Sequence, residues 1–130
     1  MFRNILALTT VIFLPVILCQ CVTTEGTTST SKPAITVEGT MFYPDGTNQS
    51  YIVPAGAEII GAGGTNCRYI VENGGRMTAH SGKGNVYMIK SGGSFKGFDH
   101  PATNCRVQYQ AGANVEQVQS GTGVRFNPVD

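Results

Sequence analysis

The sequence predicts an all-β fold: a small right-handed parallel β-solenoid of four to five coils with irregular caps at its ends. Three observations predict it. Glycines recur at intervals of 18, 18 and 20 residues, apolar residues recur at fixed distances on both sides of them, and the tetrapeptide Thr-Asn-Cys-Arg occurs at 65–68 and again at 103–106. No window of about 11 residues carries a helical apolar stripe, so we expect little or no helix.

The repeat unit is predicted to run as strand, glycine turn, strand and a second glycine-rich turn. The turn position needs a sharp bend that a residue with a Cβ atom resists. The four turn glycines are Gly56, Gly74, Gly92 and Gly112. Inward positions are expected five and three residues before them and three residues after them, at Tyr51, Tyr69, Tyr87 and Val107; at Val53, Val71, Ile89 and Tyr109; and at Ile59, Met77, Phe95 and Val115.

One such unit cannot bury its apolar face alone, but a second coil stacked about 4.8 Å above it can, with the two backbones paired in parallel. Open ends of the stack need covers. We expect Met41, Phe42 and Tyr43, in an irregular first strand over 35–43, to cover one end. Residues 123–126 are expected to cover the other end, followed by Pro128, which lacks the donor needed to extend a strand ladder.

The segments CRYIVENGGRM, NVYMIKSGGSF and CRVQYQAGANV resemble short-repeat right-handed β-helix proteins exported by bacteria. The resemblance covers residues 50–118 and implies the architecture. It implies no particular activity, because β-helices host lyases, adhesins, ice binders and surface proteins alike. The coils lack the long side loops that build a substrate groove, so we expect a non-enzyme without cofactors.

The amino-terminal residues 1–21 are predicted to be a signal peptide. A basic head precedes a 14-residue apolar run from Ile5 to Leu18, which is too short to span a bilayer as a helix. The Cys and the Thr/Ser-rich sequence after it resemble a bacterial lipoprotein, with lipid on Cys21 or, alternatively, Cys19. Ordinary cleavage, giving a soluble secreted protein, is the other interpretation.

Three regions follow from this: the signal at 1–21, a flexible tether at 22–34 that is too polar to order itself, and the solenoid at 35–130. Removing Arg3 from the nine basic residues leaves eight against eight acidic ones, so a nucleic-acid partner is not expected. The protein is predicted to be exported, either lipid-anchored in the cell envelope or secreted, and to contact the membrane only through the lipid.

Cys67 and Cys105 fall in one column with Asn85 between them. Two coils separate them by about 9–10 Å, beyond the reach of a disulfide. We expect two unpaired buried thiols, with a disulfide as the alternative if the longer third interval shifts Cys105. No metal site is predicted.

Few polar residues resemble the side chains of a catalytic or binding site. His80 and Phe98 are aligned as equivalent turn positions, and Asp99 and His100 are expected to point to opposite faces as neighbours on a solvated turn. Arg68 and Arg106 share an outward column. None of the aligned columns is a run of threonines, so a flat ice-binding array is not predicted.

The outward column Ile52, Ile70, Met88 and Gln108 is the most informative predicted surface. It is either an exposed apolar contact face or locally covered. We expect a non-catalytic surface or periplasmic structural or binding module that contacts an envelope protein or a second copy of itself. The alternative is a carbohydrate-binding or carbohydrate-active β-helix that contacts a polysaccharide through Arg68, Arg106, Asp99 and His100.

Overall fold

The computed structural model describes residues 32–129, so the predicted signal, Cys19, Cys21 and most of the tether lie outside the described part. The described residues form fourteen strands and no helix. In chain order the strands are β1 Ile35–Thr36, β2 Thr40–Phe42, β3 Ser50–Val53, β4 Glu58–Ala62, β5 Arg68–Val71, β6 Arg76–Ala79, β7 Gly82–Lys83, β8 Val86–Ile89, β9 Ser94–Lys96, β10 Ala102–Thr103, β11 Arg106–Gln110, β12 Asn114–Glu116, β13 Gly121–Thr122 and β14 Arg125–Val129.

These strands stack into three parallel sheets that run along a β-solenoid of about five turns, which confirms the predicted fold class. The first sheet has the order β1-β3-β5-β8-β11-β14 and the second has the order β12-β9-β6-β4-β2. The third sheet, β13-β10-β7, was not predicted, because its strands are two residues long and too short to show an alternating pattern.

The predicted inward columns lie in the core, except that Tyr109 and Val115 in the last of the four repeats are only partly buried. Tyr51 pairs with Tyr69 and Tyr69 with Tyr87, and their rings are stacked with centroids 5.0 and 5.1 Å apart. Val53, Val71 and Ile89 form a second buried column in the same sheet, and Ile59, Met77 and Phe95 form a third in the second sheet. Each coil therefore buries its apolar side chains against those of its neighbours, at about 1.5–3 kcal/mol for each large side chain.

The four turn glycines form a hydrogen-bonded row along the stack. Their φ angles lie between 82° and 89°, the left-handed region that favours glycine. The Gly56 N–H donates to the Gly74 carbonyl, the Gly74 N–H to Gly92 and the Gly92 N–H to Gly112, at 3.0–3.1 Å. The predicted turn is confirmed, and each turn also supports the next.

The predicted caps are confirmed in part, because Met41 at one end and Val124 and Phe126 at the other pack against the core. Both end segments also pair as ordinary coils. β1 pairs with β3 and β2 with β4, while Phe42 and Tyr43 are 63% and 59% exposed and are not part of the core. At the other end, β14 pairs with β11 over five residues, with Pro128 in register with Tyr109. The solenoid therefore extends beyond the repeat recognised at residues 50–118.

Candidate functional site

The outward column of the first sheet lies in continuous register. Ile52 is paired with Ile70, Ile70 with Met88 and Met88 with Gln108. All four side chains are half-buried, and their chain neighbours on the inner face are buried except for Tyr109, which is itself half-buried. The column is therefore neither fully exposed nor fully covered, and it presents a partly accessible apolar strip.

Charged residues flank this strip on the same face. Because side chains alternate along a strand, Arg68 and Glu72 lie on either side of Ile70, and Val86 and Lys90 lie on either side of Met88. Arg68 is exposed and Glu72 half-buried. The strip therefore has an apolar centre with a cation on one side of Ile70 and an anion on the other.

The arginine column is longer than the sequence indicated. Arg68 pairs with Val86, Val86 with Arg106 and Arg106 with Arg125. Arg106 and Arg125, in adjacent coils, line a shallow cleft with Asn104, Cys105 and Gly123. Arg125 was missed as a contact residue, although it stands 19 residues after Arg106, close to the repeat length. Asp99 and His100 do not line this cleft, so the four predicted glycan contacts do not share one cleft.

Asp99 and His100 instead meet His80 at the corner between the second and third sheets. Oδ1 of Asp99 lies 2.9 Å from Nδ1 of His80 and 3.1 Å from Nδ1 of His100. The two imidazole centroids are 4.0 Å apart. The expectation that Asp99 and His100 point to opposite faces is wrong, because both lie in a bend between strands, where alternation does not hold.

The alignment of His80 with Phe98 is also wrong. The two residues by which the third interval exceeds the others are inserted between Lys96 and Ala102, so that Ala102 pairs with Gly82 and the N–H of His100 donates to the carbonyl of His80. His80 and His100 are therefore the equivalent positions, and Phe98 is buried in the core. Counting backwards from the second Thr-Asn-Cys-Arg would have found this register.

Tyr43 and Gly61 complete the surroundings of this corner. The Tyr43 ring stands edge-on to His80 with centroids 5.6 Å apart. It also covers Gly61, where a Cβ atom would lie 2.4 Å from the ring. Gly61 thus lets a side chain from the first coil reach the histidine of the third.

The electrostatics of the corner follow from these contacts. The hydrogen bond from His100, with a further one from His80, lowers the pKa of the Asp99 carboxyl. An ionised carboxylate only accepts hydrogen bonds, so both Nδ1 atoms carry protons and donate to Asp99. The corner therefore holds an anion between two imidazoles, and all three side chains are accessible to solvent, His80 least at 32%.

The two thiols of the described chain are free and buried, as predicted. Sγ of Cys67 donates to the carbonyl of Gly46 at 3.2 Å, and burial raises the pKa of Cys105. Because the thiolate is the reactive form, the raised pKa makes Cys105 a weaker nucleophile than an exposed thiol. Cys21 and Cys19, the predicted lipid attachment sites, lie outside the described residues.

The third sheet carries a column that the sequence alignment missed. Its members are in parallel register, and four of the five are threonine: Thr47, Thr65, Lys83, Thr103 and Thr122. The expectation that no column is a run of threonines is therefore corrected in part, because two threonines stand on each side of Lys83 in this column. Lys83 interrupts the hydroxyl row with a long charged side chain at its centre, so the row is not a uniform array.

Residues 32–129 contain no helix, and hence none long and apolar enough to cross a membrane. Comparison of the chain with protein-family models, curated proteins and solved structures gave no match. The features that bear on function are the outward strip, the cleft between Arg106 and Arg125, and the corner formed by His80, Asp99 and His100.

Proposed function

We propose that this chain is a non-catalytic, exported structural module of the cell envelope, and that it assembles with a second copy of itself through the outward strip of the first sheet. The observation that carries the proposal is the unbroken register of half-buried Ile52, Ile70 and Met88 on a sheet face. Apolar side chains stacked in this way gain free energy when a second surface removes them from water.

The charges beside the strip favour a second copy as the occupant. A two-fold axis parallel to the stacking direction, placed between two such faces, reverses the strand direction of the second copy. Ile70 then faces its own equivalent, and Arg68 faces Glu72 of the second copy on both sides of the axis. A two-fold interface must be self-complementary, and in the coil of Ile70 this face has opposite charges at the positions that meet.

Export and anchoring are supported by the amino-terminal sequence. A short apolar run ends before Cys21, and a polar Thr/Ser-rich stretch follows it. A diacyl or triacyl anchor on Cys21 would hold the module at a membrane surface, since stable anchoring takes more than one acyl chain. The intact mass of the mature protein tests this part separately, because it reveals both the cleavage site and any lipid.

Sedimentation of the full chain over a range of concentrations tests the assembly. We expect a dimer whose dissociation constant rises at least about tenfold in Ile70→Lys, because a buried ammonium has no partner in the interface. Ile60→Lys is the matched control: Ile60 is also an outward, half-buried isoleucine, but it lies on the second sheet. It should leave the dimer unchanged.

A charge exchange sharpens the test. Arg68→Glu should weaken the dimer through like charges, and the double variant Arg68→Glu/Glu72→Arg should restore it. A wild-type chain that stays monomeric at every concentration, or an Ile60→Lys variant as disruptive as Ile70→Lys, would refute the proposed interface.

The cleft between Arg106 and Arg125 supports a second candidate function, the binding of an acidic glycan. The two guanidinium groups extend from paired positions in adjacent coils, and Asn104 adds an amide to the same cleft. Arginine suits carboxylate and sulfate groups because it offers a planar fork of donors. In an acidic-glycan screen, binding that is lost in Arg106→Ala and retained in Arg68→Ala would select this function.

A further inference from the structure

We propose that His80, Asp99 and His100 form a binding site for a zinc ion at the corner between the second and third sheets. One ligand atom from each of the three side chains lies within 4.8 Å of the other two. Two imidazole nitrogens and one carboxylate oxygen are a donor set that zinc binds in proteins. The site is separate from the outward strip and does not depend on the proposed function.

The spacing of the donor atoms is close to that around zinc. Zn–N and Zn–O bonds of about 2.0–2.1 Å at tetrahedral angles place neighbouring ligand atoms about 3.3 Å apart. Oδ1 of Asp99 now lies 2.9 and 3.1 Å from the two Nδ1 atoms. Around a zinc ion that replaced the two Nδ1 protons, these two distances lengthen by a few tenths of an ångström. The two imidazole donor atoms, which lie within 4.8 Å of each other, must also come to about 3.3 Å. Exposed side chains on a corner can make that adjustment.

The backbone fixes the two histidines relative to each other. The N–H of His100 donates to the carbonyl of His80 at 2.9 Å, and the ladder continues from there into the pair formed by Gly82 and Ala102. The two-residue insertion between Lys96 and Ala102 supplies Asp99 beside His100 without breaking this ladder. The site is therefore assembled by the stacking of two coils and needs no further folding when the ion arrives.

The three side chains are accessible to solvent, and this determines how an ion enters the site and which ligand positions stay open. Asp99 and His100 are 63% and 60% exposed, so an ion can enter from solvent. Three protein ligands leave the fourth tetrahedral position open to water or to a group from another molecule. Carboxylate and imidazole ligands without thiolate also admit Cu²⁺ and Ni²⁺, and Cu²⁺ should bind more tightly than Zn²⁺ at the same atoms.

Zinc titration of the full chain, observed through the nitrogen resonances of the imidazoles, tests the site. The chain has only two histidines, so both sets of signals report on this corner and are insensitive to zinc held by cysteines. We expect both histidines to shift together and to saturate at one zinc per chain. Asp99→Asn should weaken binding at least about tenfold, and His100→Ala should abolish the shift of His80.

Asp45→Asn is the matched control, because it makes the same chemical change at an exposed aspartate that is not one of the three proposed ligands. It should bind zinc as the wild type does. All of the substituted side chains are exposed, and unchanged circular dichroism would show that the solenoid is intact. Imidazole signals that do not respond to zinc, or undiminished affinity in Asp99→Asn, would overturn the proposal.

Discussion

At the scale of single residues, Asn85 is a polar side chain buried at 0% exposure in the column between Cys67 and Cys105. Its Oδ1 accepts the N–H of Cys67 at 2.8 Å. Its Nδ2 lies 3.1 Å from the Gly63 carbonyl and 3.1 Å from the hydroxyl of Tyr87. The Asn85 amide therefore provides hydrogen-bond partners for two buried backbone groups of the preceding coil, the Cys67 N–H and the Gly63 carbonyl.

We predict that Asn85→Leu lowers the free energy of unfolding by about 2 kcal/mol, because the buried N–H of Cys67 loses its acceptor. Asn114→Leu, an exposed asparagine on the second sheet, is the control and should change stability by less than about 0.5 kcal/mol. Urea unfolding followed by circular dichroism measures both. Equal effects of the two substitutions would show that the Asn85 amide is dispensable.

At the scale of elements, the stacked tyrosines join the first sheet to the corner loops. The hydroxyl of Tyr69 donates a hydrogen bond to the Gly63 carbonyl at 2.5 Å, and the hydroxyl of Tyr87 accepts one from Nδ2 of Asn85. Burial raises the pKa of both Tyr69 and Tyr87, because a phenolate in the core would lose its hydration. The column is therefore stable only while its hydroxyls keep their protons.

The raised pKa values of Tyr69 and Tyr87 make the folded chain less stable at alkaline pH. A phenol whose pKa is higher in the folded than in the unfolded chain contributes its full stability below the unfolded pKa of about 10 and loses it as the pH rises further. We predict a melting temperature that falls above pH ~10. Tyr69→Phe/Tyr87→Phe should fall less steeply over the same range. Parallel melting curves for the two proteins at alkaline pH would contradict this.

At the scale of the whole molecule, the described solenoid is a one-dimensional stack. Its strands pair only with the coil above and the coil below, so its stability is a sum of coils and their interfaces. The spacing between coils varies, with 18 residues from Arg68 to Val86 and 20 from Val86 to Arg106. The two extra residues lie in the corner between Lys96 and Ala102, and the strands on either side of it keep their register.

A deletion that respects the register should therefore fold. Removing Met88–Val107 joins Tyr87 to Gln108 in mid-strand and leaves every later inward residue facing inward, since Met88 pairs with Gln108. We expect cooperative unfolding with a smaller urea m-value, because less surface is buried. Removing Met88–Arg106 is the control. It shifts the strand by one residue and turns the core side chains outward, so this chain should not fold.

The core residues could be predicted from the sequence, whereas the contacts at the corners could not. Tyr51, Tyr69 and Tyr87 could be placed because an inward column demands similar residues at each repeat, and the period reveals them. Asp99 and His100 were misplaced because the repeat was counted forwards from the turn glycines, and the insertion before Ala102 breaks the period in that direction. The third sheet was missed for a related reason: its two-residue strands leave no alternation to detect.

The sequence alone determined the all-β stack, the glycine turns and the inward columns, because burial in a repeating coil leaves a period in the chain. It left open whether Cys67 and Cys105 are paired, and the structure shows both thiols free. The tertiary structure decided what non-periodic residues do. Only the stacking of two coils brings His80 beside Asp99 and His100, places Tyr43 over Gly61, and sets Arg125 next to Arg106. Such contacts depend on how corners of unequal length superimpose, and neither the alternation of a strand nor the length of the repeat records that.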